Sequence, residues 1–519
     1  MNGTVRSIVA LVLIGSSLLL AWIDKSLFAA DATASRKPNF VFILIDDLGW
    51  TDGSGLGSKF YKTPHIDRLA QQGMRFTDAY SACCVCSPTR AAVMTGRYPA
   101  RLHLTDWIAG HKRPFARLAI PDWKMYLEHE EITIAEVLKA AGYATAHIGK
   151  WHLGGADYRP ETQGFDLNIG GDHRGQPPSY FAPYRIPSIA EGPSGEYLTD
   201  RLTEEAERFI DRNRQQPFFL YLAHYAVHTP LQAKKELVEK YQAAVQPDQP
   251  HRNAVYAAML ESVDQSVGRI VNKLQQLGID KQTVIFYTSD NGGLAGVTSN
   301  APLRAGKGSP WEGGVRVPLI VVWPGVIRPG STCDVPVISV DFFPTIMEIA
   351  GASWPPAAGQ SAAPAGSAPA AAGQSSAAVD AATEPARTQH APPAIDGQSL
   401  LPLLKQNGTL KREAIFWHYP HYHPGGATPY GAVRKGDYKL IEFYEDGRLE
   451  LYNLREDIGE RNNLASSMPE KADELKRLLA QWRESLGAQM PRPNPDYDPA
   501  RDGKPAAKPK PQAPKAQGK

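Results

Sequence analysis

The sequence predicts an α/β fold: a large, mostly parallel sheet flanked by helices, followed by a small C-terminal antiparallel sheet with one helix. Three observations predict it. Continuous apolar runs of strand length recur along the chain, helix-period segments lie between them, and near the C-terminus the pattern changes to strand, turn, strand and then one long amphipathic helix.

Taken in order, Asn39–Ile45 reads NFVFILI, the unbroken apolar run of a parallel strand covered on both faces. Thr133 followed by Glu136 makes a capping box. The helix it opens carries Ile134, Val137, Leu138 and Ala141 on one face, and Gly142 ends it. Residues 143–148, 217–223, 283–288 and 317–323 read as further strands. Residues 354–393 turn to Ala, Pro, Gly, Ser and Gln, which bury too little apolar surface to offset their ordering entropy, so a disordered insertion is expected there. Residues 432–444 and 449–454 are strand-like and joined by Glu445-Asp446-Gly447-Arg448, a hairpin signal, before a helix over 469–486. The expected organisation is a leader at 1–34, a large α/β domain at 36–410, a small α+β domain at 411–490 and a disordered Pro/Lys/Ala tail at 491–519.

The leader rests on Arg6, an apolar run from Ile8 to Ile23 closed by Asp24 and Lys25, and small residues at 30–34 that suit a signal peptidase. The run is short for a membrane span, which needs about 20 residues. An uncleaved signal anchor is the alternative. Both readings export the bulk of the chain, to a periplasm or medium, with no stable membrane insertion of the folded part. Lys plus Arg number 56 and Asp plus Glu 54, a net charge of +2, so nothing marks a nucleic-acid partner. Cys83, Cys84, Cys86 and Cys333 form no disulfide framework, although Cys83 or Cys84 could pair with Cys333 in an oxidising compartment. Zinc would need further Cys or His at ligand spacing.

Chemistry gathers where strands end, the edge at which open α/β sheets bind ligands. The first strand leads into Asp46 and Asp47, the 143–148 strand into Lys150 and His152, the 217–223 strand toward His228, and the 283–288 strand into Asp290 and Asn291. One such case is an ordinary polar strand end, whereas four together form a site. Three aspartates and an asparagine suit a hard cation, calcium or magnesium.

Cys86-Ser87-Pro88-Thr89-Arg90, continued by Thr95-Gly96-Arg97, resembles the signature of the formylglycine-dependent (type I) sulfatases, arylsulfatase-like members of the alkaline phosphatase superfamily. Only Cys86 has Pro and Arg at the required offsets. Asn39 to Gly49, Gly149 to Gly154, Ala226 to Pro230, Thr288 to Gly293 and Gly306 to Arg316 resemble further blocks of that family, with Val227 a departure and the Ala/Pro insertion another. The resemblance implies that a maturation enzyme oxidises Cys86 to formylglycine. It implies that Asp46, Asp47, Asp290, Asn291 and the modified Cys86 hold one Ca2+. By the same resemblance Arg90 and Lys150 hold the aldehyde hydrate and the sulfate, Lys307 and His228 bind the bridging oxygen and protonate the leaving group, and His152 takes the proton from the covalent intermediate. Pro88 suggests a helix start, which would aim a helix N-terminus at residue 86.

The expected function is sulfuric ester hydrolysis on sulfated carbohydrates, with aryl sulfates as artificial substrates. Tyr180, Tyr184 and Trp417 are expected at the substrate pocket, with the His418, His421 and His423 segment, whereas His224 reads as structural. The rivals are a phosphatase or phosphonate monoester hydrolase on the same fold, which the absence of an extra Asp/His cluster disfavours, and a non-catalytic binding protein, which intact motifs disfavour.

Overall fold

The structure is a computed structural model that describes residues 37–353 and 394–503. The expected leader, the 354–393 insertion and the tail beyond 503 lie outside the described residues. The main sheet has eight strands: β1 (Asn39–Ile45), β2 (Met74–Phe76), β3 (Ala144–Gly149), β4 (Leu167–Ile169), β5 (Phe218–Ala223), β6 (Thr283–Ser289), β7 (Leu319–Val322) and β8 (Ser331–Cys333). Their order is β8-β2-β7-β6-β1-β5-β3-β4. Every neighbouring pair is parallel except those of β7, which runs against both β6 and β2.

The central position of β1 explains its unbroken apolar run. Val41, Ile43 and Ile45 face one core with helices α3 (Leu198–Asn213) and α4 (Ala254–Gln276). Phe40, Phe42 and Leu44 face the other, with α1 (Cys86–Thr95), α2 (Ile134–Ala140) and α5 (Phe342–Ala350). The capping box of α2 is present: Glu136 N–H donates to Thr133 Oγ1 at 3.2 Å and Thr133 N–H to Glu136 Oε2 at 2.8 Å.

The small sheet is antiparallel in the order β9 (Ala414–Tyr419), β10 (Tyr430–Lys435), β11 (Tyr438–Phe443), β12 (Leu449–Asn453). Val433, Leu440 and Leu451 pack on helix α6 (Pro469–Leu486) through Leu475 and Leu479. Its other face, with Trp417, Ala432 and Ile441, packs on Tyr80, Cys83, Cys84 and Val85, the segment entering α1. The described residues from Asn39 onward thus form one compact unit.

Under this sheet Lys439, fully buried, sets its Nζ 2.8 Å from Glu312 Oε1 and 3.0 Å from Glu460 Oε1. Glu312 also accepts from Tyr80 Oη at 2.7 Å and pairs with Arg316 at 3.1 Å.

Three expectations are corrected. The 432–444 stretch is two strands, because Gly436, at φ +58°, turns the chain between Lys435 and Tyr438. The segment before it is an edge strand of the small sheet, with His418 opposite Gly431. The tail is structured as far as 503: Arg492–Pro493 pairs with Leu118–Ala119, and Asn494 Nδ2 donates to the carbonyls of Pro114 and Ala116. All four cysteines are free thiols.

Candidate active site

The strand ends converge as expected. Asp46 and Asp47 follow β1 directly, and Asp47 sits at φ +60°, a conformation rare outside glycine that turns consecutive carboxylates toward one point. Asp290 follows β6, whose register against β1 sets Ser289 beside Ile45, so the two acidic ends lie side by side. Asp47 N–H donates to Asp290 Oδ1 at 3.2 Å.

Gly149 ends β3 at φ +109°, where a Cβ would stand 1.8 Å from the Ala223 carbonyl oxygen. That close approach lets Lys150 N–H bond to the same carbonyl at 2.7 Å and sends the lysine side chain inward. Gly149→Ala is therefore expected to cost at least about 2 kcal/mol of folding stability, read by denaturant unfolding, because overlap and unfavourable φ act together. A stability equal to the parent would contradict the placement.

Cys86 is the first residue of α1, with Val85 as an extended N-cap, so the helix begins two residues before Pro88 and the anticipated helix N-terminus lies at residue 86 itself. Arg90 stands one turn later on the same face. Its Nε and Nη2 both donate to Asp290 Oδ2, at 2.9 and 2.8 Å, and Nη1 donates to the Lys150 carbonyl at 2.8 Å. Arg90 is thus spent on organising Asp290 and Lys150. Lys150 Nζ donates to Asp46 Oδ2 at 2.7 Å. Lys307 Nζ lies 2.7 Å from Asp47 Oδ1 and donates to Asp47 Oδ2 at 2.9 Å and to Cys86 Sγ at 3.4 Å. His228 Nε2 lies 3.7 Å from Asp47 Oδ2.

Ligand atoms of Asp46, Asp47, Cys86 and His228 all lie within 4.8 Å of one another. Asn291 adjoins them, donating from Nδ2 to Asp47 Oδ1 at 2.8 Å. Asp46 Oδ1 and Asn291 Oδ1 are buried and accept no hydrogen bond among the described residues.

The electrostatics follow from burial. Burial raises Asp46 to about 8, with Asp290 and Asp47 adding to it against Lys150 and Arg90. Burial opposes ionisation of Asp47 too, but Lys307, His228 and Lys150 prevail and hold it below the carboxylate range. Arg90 and Lys150 likewise outweigh burial at Asp290. Burial lifts the Cys86 thiol to about 11 in spite of Lys150 and Lys307. Residue 86 as cysteine is therefore a neutral thiol and a poor nucleophile at neutral pH.

The two site histidines have defined tautomers. His228 Nδ1 donates to the Thr229 carbonyl at 2.8 Å, leaving Nε2 as a lone pair, and burial lowers the ring to about 4. His152 Nε2 bonds to the Ile108 carbonyl, which leaves Nδ1 unprotonated, buried and without a partner among the described residues. Burial and then Lys150 push His152 well below its ordinary value.

The other sequence candidates separate. Tyr180 is buried and donates to the carbonyls of Tyr225 and His228, at 2.6 and 2.8 Å, so it braces the His228 loop and does not face substrate. Tyr184 donates to Glu196, and Trp417 Nε1 to the Ser81 carbonyl; both are structural. His418 bonds to Tyr444 and Gln489, and His421 to Thr105, so of that segment only half-buried His423 reaches the site, beside Lys307 and Gly308. His224 bonds to Ser266 of α4, as a structural histidine does. Sequence reasoning missed the Ile108 carbonyl, a backbone group without a side-chain signature.

Comparison with known proteins gives this geometry a family. Residues 38–352 match the family described as Sulfatase, and residues 379–485 match the one described as N-sulphoglucosamine sulphohydrolase, C-terminal. A "Sulfatase" of Formosa agariphila is 33% identical over 509 residues, covering 84% of this chain and 86% of the relative. Arylsulfatase A of Homo sapiens is 30% identical, covering 89% and 90%. The crystal structure of Ps i-CgsB superposes with a TM-score of 0.70 at 30% identity, over 89% of this chain and 95% of that one. The phosphonate monoester hydrolase of Agrobacterium radiobacter, at 18% identity and a TM-score of 0.62, shares the fold. A family match across most of the α/β layer, joined to relatives aligned over nearly their whole length, means that this chain belongs to the sulfatase family and is a sulfate-ester hydrolase.

Proposed function

We propose that the enzyme removes sulfate from sulfated carbohydrates, using formylglycine made from Cys86 and a calcium ion. The observation that carries the reading is the contact of Cys86 Sγ with Lys307 Nζ inside a cluster of Asp46, Asp47 and His228. A thiol raised by burial does not suit attack on sulfur. The geminal diol of hydrated formylglycine supplies one hydroxyl to attack sulfur and a second whose collapse expels sulfate and restores the aldehyde.

The donor set fits a hard cation. Two buried oxygens, on Asp46 and Asn291, accept no hydrogen bond among the described residues, Asp46 Oδ1 having only Arg90 Nη2 at 3.7 Å, and the aspartates beside them offer further oxygens. Asp46, Asp47, Asn291, residue 86 and Asp290 would hold the ion, although Asp290 gives Oδ2 to Arg90 and has Oδ1 toward the Asp47 N–H. A bound divalent cation supplies Lewis-acid polarisation of a sulfate oxygen.

The chain's own groups do the rest. Lys150 and Lys307 bring positive charge to the sulfate, with Arg90 fixing the carboxylate frame. Lys307, held protonated mainly by Asp47 against the effect of burial, is the proton donor at the bridging oxygen. His228 gains a proton only when an anionic sulfate approaches its Nε2. The free Nδ1 of His152 accepts the proton released when the intermediate collapses.

Two points support a carbohydrate substrate. Ps i-CgsB was crystallised in complex with k-i-k-neocarrahexaose, and that chain is 29% identical to this one. The apolar N-terminal run supports export, where sulfated polysaccharides are met. No helix among the described residues is long and apolar enough to cross a membrane.

Screening matured enzyme against position-defined sulfated sugars tests the substrate, and turnover confined to phosphate esters would reject it. Chelation with EGTA is expected to remove one calcium per chain, abolish turnover and lower the thermal midpoint, because the clustered carboxylates lose their counter-charge. An unchanged midpoint and no metal by elemental mass spectrometry would reject the calcium site.

A further inference from the structure

Half-buried His423 lies against Gly308, one of the two glycines that flank catalytic candidate Lys307. A Cβ on Gly308 would stand 2.1 Å from His423 Nδ1 and 2.4 Å from its Cε1, so only glycine admits the imidazole there. Two further contacts seat the loop. His423 N–H bonds to the Ala427 carbonyl at 3.0 Å, and Gly308 N–H to the Cys84 carbonyl at 2.9 Å, within the segment that enters α1.

The ring's tautomer follows from its neighbours. Gly425 N–H donates to His423 Nδ1 at 3.0 Å, so Nδ1 is the acceptor and the proton of the neutral ring sits on Nε2. Among the described residues Nε2–H has no hydrogen-bond partner. Burial, and then the Lys307 charge, lower this histidine to about 4, which keeps it uncharged at neutral pH. Beside an ammonium that serves the bridging oxygen, a neutral donor suits an uncharged oxygen of the group that leaves.

We propose that His423 is a specificity-determining residue on the leaving-group side, whose Nε2–H donates to the hydroxyl next to the sulfated position of the substrate. The inference rests on the sulfated-carbohydrate reading above and deepens it, to a secondary sulfate next to a ring carbon whose hydroxyl is unsubstituted: such a sugar carries a vicinal hydroxyl, whereas a simple phenol does not. Lys307 then serves the reacting oxygen and His423 reads its neighbour.

Two chromogenic probes test this without knowledge of the natural sugar. 4-Nitrocatechol sulfate carries a hydroxyl beside the ester, and 4-nitrophenyl sulfate lacks it. In His423→Ala, kcat/KM is expected to fall about tenfold on the catechol ester, the scale of one hydrogen bond, and less than about twofold on the phenyl ester. Because each variant is compared with the parent on the same probe, leaving-group chemistry cancels. His423→Gln, which keeps an N–H donor, is expected to regain part of the catechol preference. Equal losses on both probes, or no loss on either, would overturn the inference and leave the sulfatase reading intact. A parent enzyme inactive on both esters would overturn this inference, whereas failure of the underlying carbohydrate reading is read separately, from the screen of sulfated sugars.

Discussion

Cys86→Ala is expected to lower turnover of every sulfate ester by about 10⁴-fold or more, the scale on which removal of a nucleophile acts. The variant should fold as the parent does, since Cys86 contributes only a small buried side chain at the first position of α1 and caps nothing. Parallel measurement of kcat and the thermal midpoint separates the two effects. Intact mass gives a second check: in the parent, residue 86 should carry an aldehyde oxygen in place of the thiol. An active enzyme with an unmodified thiol at 86, or activity surviving in the alanine variant, would end the formylglycine proposal.

The largest expected loss of stability is at Lys439. Lys439→Met is expected to cost about 3–5 kcal/mol in denaturant unfolding, because it leaves Glu460 buried without its counter-charge and Glu312 with Arg316 as its remaining ion pair. These two acids also make stability depend on pH in opposite senses. Burial, and the charge of Glu312, raise Glu460 from its ordinary 4.5 to about 7, despite Lys439. Its contribution is present below pH 4.5 and lost as pH rises through about 7. Glu312, whose burial is outweighed by Lys439, Arg316 and Arg434, is lowered to about 2, so its contribution is present above 4.5 and lost only as pH falls through about 2. Of these two acids only Glu460 acts between pH 4.5 and 7, and Glu460→Gln should remove its share of the slope. An unfolding free energy with the same slope across that window in parent and variant would contradict this.

Much of the fold was legible because burial on both faces leaves an unmistakable pattern. β1 is apolar at every position after Asn39 since alternate side chains enter different cores. The site was legible for a related reason: parallel strands end at one edge, so polar residues following several of them must converge. What escaped was whatever depends on close approach between distant segments. The turn at Gly436 was hidden in a run of strand-forming residues, and β9 in an aromatic and histidine-rich stretch. Tyr180, Tyr184 and Trp417 looked like ligand-stacking residues because composition cannot tell whether a polar tip finds a partner inside the protein. Here each donates inward, to a carbonyl or to Glu196. The seat of His423 over Gly308 is likewise set by tertiary approach alone.

Every residue of α1 from Cys86 to Thr95 is buried, with the small sheet laid over the segment that enters it. An enzyme that oxidises Cys86 has no access to it once this lid of strands has docked. If Cys86 is oxidised as proposed, the modification belongs to a brief window in the life of the chain, before docking. A slowly maturing or overproduced polypeptide would close over an untouched thiol and remain permanently inert, well folded and indistinguishable in shape from its working counterpart.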